Sequence, residues 1–487
     1  MLKRRVAVTT ATLLFLLAIP SFTSASTTIA GTTCKKLGAT KVSKGRLYKC
    51  VKVSKKLRWD KGKLLIPAPT KSPEPSPIPT PDQSTVAPSP SPSAAAVSCP
   101  QNEDNASTST RVSSGAENKN ILVAQDNLWF HGTGPFSAFM TYDNSGTFVT
   151  PMTPALGFYD SSSIADNEKQ IDMAADNGID AFSQEWISPL GEGGSLEDPL
   201  DNAFLAAPNI CRIRWAIFDD LNLRLTWKYP DKYGNASPNF DDPDVRAIFV
   251  SDMEHFADKY FGQAQYLKID GRPIVEIWAT WNFRGSLANI QSTVQAAREA
   301  VKKLGYDVYL VGDEEGAGTF NAQRVATWDA TSSFIPMLMP GNPFSGRDNG
   351  VSGLAKAITF VDHANQSWSR ALSGLKVLGR NDAVSFQPGF SPQYDDTLFR
   401  NLNKIGGPTS LWAMSKAEIK AMAQVSLNSA LPVGASGRKL IWIGTWNNYP
   451  ESTQVEATIA GSNYPGGNTG HDILDALQEV FGSQTFG

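Results

Sequence analysis

The sequence predicts an α/β chain whose bulk is a (β/α)8 TIM-like barrel, preceded by a small disulfide-stapled basic module and a Pro-rich linker. Three observations point there. A cap, helix, glycine and strand recur in that order, which suits a parallel sheet covered by helices. Further apolar runs bring the strand candidates to eight. Acidic and aromatic residues gather just after those strands, on what would be a single rim.

Each unit can be read locally. Ser163 caps a helix with Ile164, Ile171, Ala174 and Ala175 on its apolar stripe; Gly178 stops it, and 179–186 follows as a buried strand. Asp242 and Pro243 make a cap and first turn for a helix through Tyr260, and the strand 273–278 comes next. Ser286 opens a third helix, Gly305 ends it, and 308–311 runs into Asp313, Glu314 and Glu315. The remaining strand candidates are 136–142, 213–218, 333–338, 383–386 and 440–444. A doubly wound sheet is the competing arrangement. The one glycine cluster, Gly191 to Gly194, lacks the G-x-G-x-x-G spacing after a strand that a dinucleotide fold uses.

The chain has 487 residues and a net charge of −3, which hides a strong separation along its length. Lys3, Arg4 and Arg5, an apolar stretch and the small residues around Ala25 predict a signal peptide over 1–26, and hence a secreted protein, with retention at the cell surface as a further expectation. In the basic module (27–65), residues 31–63 carry twelve Lys or Arg against Asp60 alone. That density outside a cell suits an anionic cell-envelope polymer. The linker, 66–98, contains ten prolines interleaved with Ser, Thr and Ala, an extended spacer. The body, 99–487, is then strongly acidic, which argues against nucleic acid as a partner. Four cysteines in an oxidising compartment allow three pairings. The spacer between them favours Cys34–Cys50 and Cys99–Cys211. With four His and no HExxH, neither a metal nor another cofactor is expected; no transmembrane segment is expected after signal cleavage, and the chain reads as a monomer.

The rim residues are Glu185 with Trp186, Asp219 with Asp220, Trp278 with Trp281, Asp313 with Glu314, and the run Trp446 to Glu456. Carboxylates and aromatic faces together suit a saccharide: one acid protonates a leaving oxygen, a second carboxylate assists attack, and rings stack on sugars. No G-x-S-x-G elbow or P-loop competes.

The stretch Thr445-Trp446-Asn447-Asn448-Tyr449-Pro450-Glu451-Ser452-Thr453-Gln454-Val455-Glu456 resembles the last-strand motif of glycoside hydrolase family 99, the endo-α-mannosidases and their bacterial relatives, and is also similar to that of family 71, the α-1,3-glucanases. Leu156 to Asp160, Gly178 to Phe182, Asp270 to Pro273 and Pro388 to Asp396 resemble other family 99 stretches in the same order. The resemblance implies a glycoside hydrolase acting on an α-linked polysaccharide, with Glu451 as general acid/base. Where the family has a second carboxylate, this chain has Asn448. Glu185 or Glu314 is then expected to supply that role, or the sugar's own substituent attacks, or the site binds glycan without cleaving it. Substrate contacts are expected from Asn448, Trp446, Asn447, Tyr449, Trp186, Asp219, Trp278, Trp281, Asp313 and Tyr394.

Overall fold

The computed structural model describes residues 33, 36, 40–43, 46–53, 56–59, 63–64, 111–113, 116–118, 120–133, 137–141, 147–150, 152–192, 195–229, 232, 237–314, 319–336, 351–404, 411–435, 437–459 and 470–484. The expected signal segment and linker, Cys34, Cys99 and Glu315 lie outside them. The two described cysteines, Cys50 and Cys211, are not free. The described residues divide into two compact units, one within Ser21–Pro92 and one within Ser93–Gly487.

The smaller unit is an antiparallel sheet of Thr40–Ser43, Arg46–Val53, Lys56–Trp59 and Lys63–Leu64. Period-two alternation leaves Lys56 and Arg58 exposed while Leu57 and Trp59 are half-buried. Trp59 lies opposite the buried Cys50 in the ladder.

The larger unit is a closed barrel of eight parallel strands: β1 (Ile121–Asp126), β2 (Ala181–Trp186), β3 (Arg214–Asp219), β4 (Arg272–Ile277), β5 (Tyr309–Asp313), β6 (Ala330–Ser333), β7 (Ser385–Phe390) and β8 (Arg438–Ile443). Each pairs with the next and β8 pairs with β1, so no barrel strand is left with an open edge. Helices fill the crossovers: α1 (Ile164–Asp176), α2 (Leu221–Lys228), α3 (Pro243–Lys259), α4 (Leu287–Lys303), α5 (Ala322–Val325), α6 (Val351–Leu372), α7 (Lys416–Ser429) and α8 (Asp472–Phe481).

The expected caps are in place. Ser163, Asp242 and Ser286 accept from the backbone N–H groups of Asp166, Asp244 and Asn289, satisfying donors that a helix start leaves open. Gly178 and Gly305 adopt φ of 79° and 93°, the left-handed conformation that ends a helix at least cost.

Alternation along the strands builds two cores. Val123, Ala181, Ala216, Ile274, Val311, Ala330, Leu440 and Trp442 fill the barrel interior. Phe182, Trp186, Trp215, Ile217, Val275, Leu310 and Ile441 face the helices in a larger cluster. Gly389 is required where β7 meets β6, because a Cβ there would lie 1.6 Å from the Ser333 carbonyl oxygen.

Two expected strands differ. The first barrel strand is Ile121–Asp126 rather than 136–142, whose described part belongs to the long β1–α1 connection. There Phe139 packs with Phe130, Tyr159 and Tyr449 in a separate aromatic cluster. The sixth strand is Ala330–Ser333, ahead of the expected 333–338. Its Ala-Thr-Ser-Ser sequence is wholly buried but carries no hydrophobic signal.

Candidate active site

The carboxyl ends of the strands form the mouth, and the loop after β8 lies at that end. That loop closes on itself. Thr445 and Thr453 hydroxyls lie 2.9 Å apart, and the Asn448 N–H donates to Thr445 Oγ1 at 2.9 Å. Glu451 is half-buried at its tip. Tyr394 donates its hydroxyl to Glu451 Oε1 at 3.1 Å, and Asn448 Nδ2 donates to Oε2 at 2.9 Å. Asn448 Oδ1 also accepts the Glu451 N–H at 3.3 Å. The amide thus grips both the side chain and the backbone of the carboxylate it accompanies. Burial pushes the Glu451 carboxyl up, with the Asp396 carboxylate adding to it; Tyr394, Arg400 and Asn448 oppose.

Glu185 occupies the last inward-facing position of β2, in register with Phe218 on β3. It is 4% exposed, and its Oε2 has no partner among the described residues. Burial pushes its carboxyl well above the ordinary range, and the Asp220 and Glu451 carboxylates push the same way. Glu185 and Glu451 therefore sense each other electrostatically. Asp220 caps α2 through the Leu223 N–H at 2.9 Å, and burial raises it to about 7. Elevation of this kind favours the protonated form of a carboxyl, the state a general acid needs.

Several expected contacts are used otherwise. Trp186 and Trp446 are wholly buried; their indole N–H groups donate to Glu197 Oε1 at 3.1 Å and Gln170 Oε1 at 2.6 Å. Alternation turns Trp186 toward the helices, so neither ring walls a cleft. Tyr449 is buried between Phe130 and Phe139. Asn447 ties the β8 loop to β1, donating to Asp126 Oδ1 at 2.6 Å and accepting the Asn127 N–H at 2.8 Å. Asp219 shares the outward face of β3 with Ile217 and is 0% exposed. Glu314, an expected base, is also committed: Arg324 Nε and Trp328 Nε1 donate to its two oxygens at 2.7 and 2.8 Å. Asp313 accepts two backbone N–H groups. Trp278 and Trp281 remain half-buried beside the mouth.

One carboxyl escaped the sequence reading, and another, Glu456, entered it only as the end of the rim run. Glu276, inward on β4, is 0% exposed and, among the described residues, accepts only the Ser332 hydroxyl, at 3.1 Å; burial and then Asp313 push it well up. An acid alternating with apolar residues in Pro-Ile-Val-Glu-Ile was the available signal. Glu456 accepts the Tyr159 hydroxyl at 2.7 Å, and burial raises it to about 8. A carboxyl raised on folding stabilises the native state below its unfolded pKa and withdraws that contribution as pH climbs through its folded value. Urea unfolding should therefore show the wild type losing more stability between pH 5 and 9 than Glu456→Gln does. Parallel losses in the two proteins would remove Glu456 as a source of that dependence.

Among the described residues, no group of three or more His, Cys, Asp or Glu is placed to hold a metal ion, and no helix is long and apolar enough to cross a membrane.

Comparison with solved structures supports the same architecture. The GH99 endo-α-mannosidase of Bacteroides thetaiotaomicron, in complex with bis-tris propane, superposes with a TM-score of 0.50 at 14% identity, covering 74% of this chain and 96% of that one. A glycoside hydrolase-like protein gives a TM-score of 0.51 at 17% identity, covering 74% and 94%. At these identities the likeness shows the fold. Comparison with curated proteins gives no match. Residues 144–464, more than half of the chain, match the family model described as glycosyltransferase WbsX; the chain belongs to this family.

Proposed function

We propose that this protein is an exported, surface-retained glycoside hydrolase acting on an α-linked polysaccharide, mannan-like or glucan-like. Glu451 is the general acid/base and Glu185 the second carboxylate. The observation that carries this reading is the pairing of two carboxyls: Glu451, held by Tyr394 and Asn448, lies within electrostatic reach of the buried Glu185, whose Oε2 has no partner among the described residues. Either Glu185 assists the attacking group directly, or the sugar's own substituent attacks while Asn448 only orients Glu451.

The family description names sugar transfer. Transfer and hydrolysis share protonation of the departing oxygen and differ in whether a hydroxyl or water completes the reaction. A mouth rich in carboxyls favours an uncharged saccharide over a nucleotide-diphosphate donor, because like charges in a desolvated cleft repel. Cys34–Cys50 would staple the basic module and Cys99–Cys211 the barrel's leading segment. The module, 27–65, would hold the protein to an anionic envelope polymer across the 66–98 linker.

A second reading rests on Asn448. An amide cannot take a proton from water, so the chain could be a glycan-binding surface protein with a degenerate site. Incubating the full chain with α-mannans and α-glucans, and following both released reducing ends and heat of binding, separates the two. New reducing ends support the hydrolase. Binding without product supports the second reading, and neither signal overturns both.

A further inference from the structure

Asp313 ends β5 and Glu314 follows it directly, and the two side chains take different partners. Both reach the same neighbour, the turn that follows β4. Asp313 Oδ2 accepts the Ala279 N–H at 3.1 Å, and its Oδ1 accepts the Phe334 N–H at 3.2 Å, from the loop after β6. Glu314 binds Arg324 Nε at 2.7 Å, and Arg324 in turn donates to the Thr280 and Phe283 carbonyl oxygens. Ala279 holds a φ of 49°, a left-handed conformation that a non-glycine residue keeps only when its surroundings impose it. That residue sits between Trp278 and the short turn Thr280–Asn282, which contains Trp281.

From this geometry we infer that Asp313 and Glu314 are positioning residues, a two-sided clasp that fixes the Trp278–Phe283 turn and so presents Trp278 and Trp281 to the saccharide. Asp313, 4% exposed, has both oxygens engaged by backbone, which removes it from direct sugar contact. Burial raises the Asp313 carboxyl to about 7 against the pull of its two N–H donors, and the wholly buried Glu276 is pushed up by burial and then by Asp313. The inference goes beyond the proposed activity, although its kinetic consequence rests on that reading.

The test uses Asp313→Asn and, on the other arm, Arg324→Gln, in the full chain. Hydrogen exchange should speed up by about ten-fold or more at the Ala279 and Phe334 amides in Asp313→Asn, with the barrel strands still protected. In Arg324→Gln it should speed up across 279–283 alone. On whichever α-glucan or α-mannan the wild type cleaves, both variants should raise KM by about ten-fold with kcat within about three-fold. Unchanged exchange at both amides would overturn the clasp, as would a loss confined to kcat. If no glycan is cleaved, the proposed activity fails while the exchange result still decides the clasp. Should Asp313→Asn not fold, Arg324→Gln alone decides, because Arg324 sits on the short helix α5, outside the barrel ladder.

Discussion

Glu451→Gln is expected to lower kcat on a cleaved α-glycan by on the order of 10²–10⁴-fold while leaving glycan binding close to wild type. The amide keeps the size of the side chain and can still meet the Tyr394 hydroxyl and Asn448 Nδ2, so the loop built on Thr445 and Thr453 should hold its shape. What it removes is the proton that a departing sugar oxygen takes up. The pH profile sharpens the prediction. Burial and Asp396 raise the Glu451 carboxyl, so the wild type holds its acid form into a pH range where an exposed glutamate has lost it. Activity should fall as pH climbs through that raised value, and the residual activity of the variant should lack this limb. Equal kcat in the two proteins would remove Glu451 from the mechanism.

The second large effect is on stability, at the opposite end of the barrel. Asp329 immediately precedes β6 and is 1% exposed. Arg272 Nη2 and Arg298 Nη2 donate to its two oxygens at 2.6 and 2.7 Å, and the Leu310 N–H adds a bond at 2.9 Å. Burial alone would push this carboxyl up; Arg298 and Arg272 outweigh it and hold it below the ordinary range. Asp329→Ala leaves the buried Arg298 without its carboxylate and should cost about 3–5 kcal/mol. Because the folded-state pKa is depressed, the wild type's advantage is present above the unfolded pKa and fades as pH falls through the folded one. Urea midpoints at pH 7 and pH 3 measure both parts. A cost under about 1 kcal/mol at pH 7 would mean that the arginines find other partners.

The parts of the fold legible in the sequence were those fixed by short-range chemistry. Ser163, Asp242 and Ser286 announce helix starts because a side-chain oxygen next to an apolar stripe has one obvious use, and Gly178 and Gly305 announce the ends. Strand β6 was not legible. Ala330–Ser333 is buried for reasons outside its own composition: Ser332 meets Glu276, and Ser333 accepts the Gly389 N–H. Strand β1 was masked by a more aromatic stretch that packs in a loop.

The site divides the same way. The loop motif carries Glu451 and Asn448, and these two do meet each other and Tyr394. Residue type alone could not say which way a rim aromatic turns. Trp186 and Trp446 look like sugar platforms until strand alternation and the long reach to Glu197 and Gln170 place them in the helix layer. Glu314 looked like a free base because nothing nearby in sequence names Arg324 and Trp328 as its partners in space.

The most direct measurement is a crystal structure of Glu451→Gln with an α-linked oligosaccharide that the wild type cleaves. The account predicts the scissile glycosidic oxygen within about 3.2 Å of the side chain at position 451, with Glu185 on the far side of that sugar ring. A sugar bound with its linkage out of reach of position 451, or lodged elsewhere on the barrel, would contradict it.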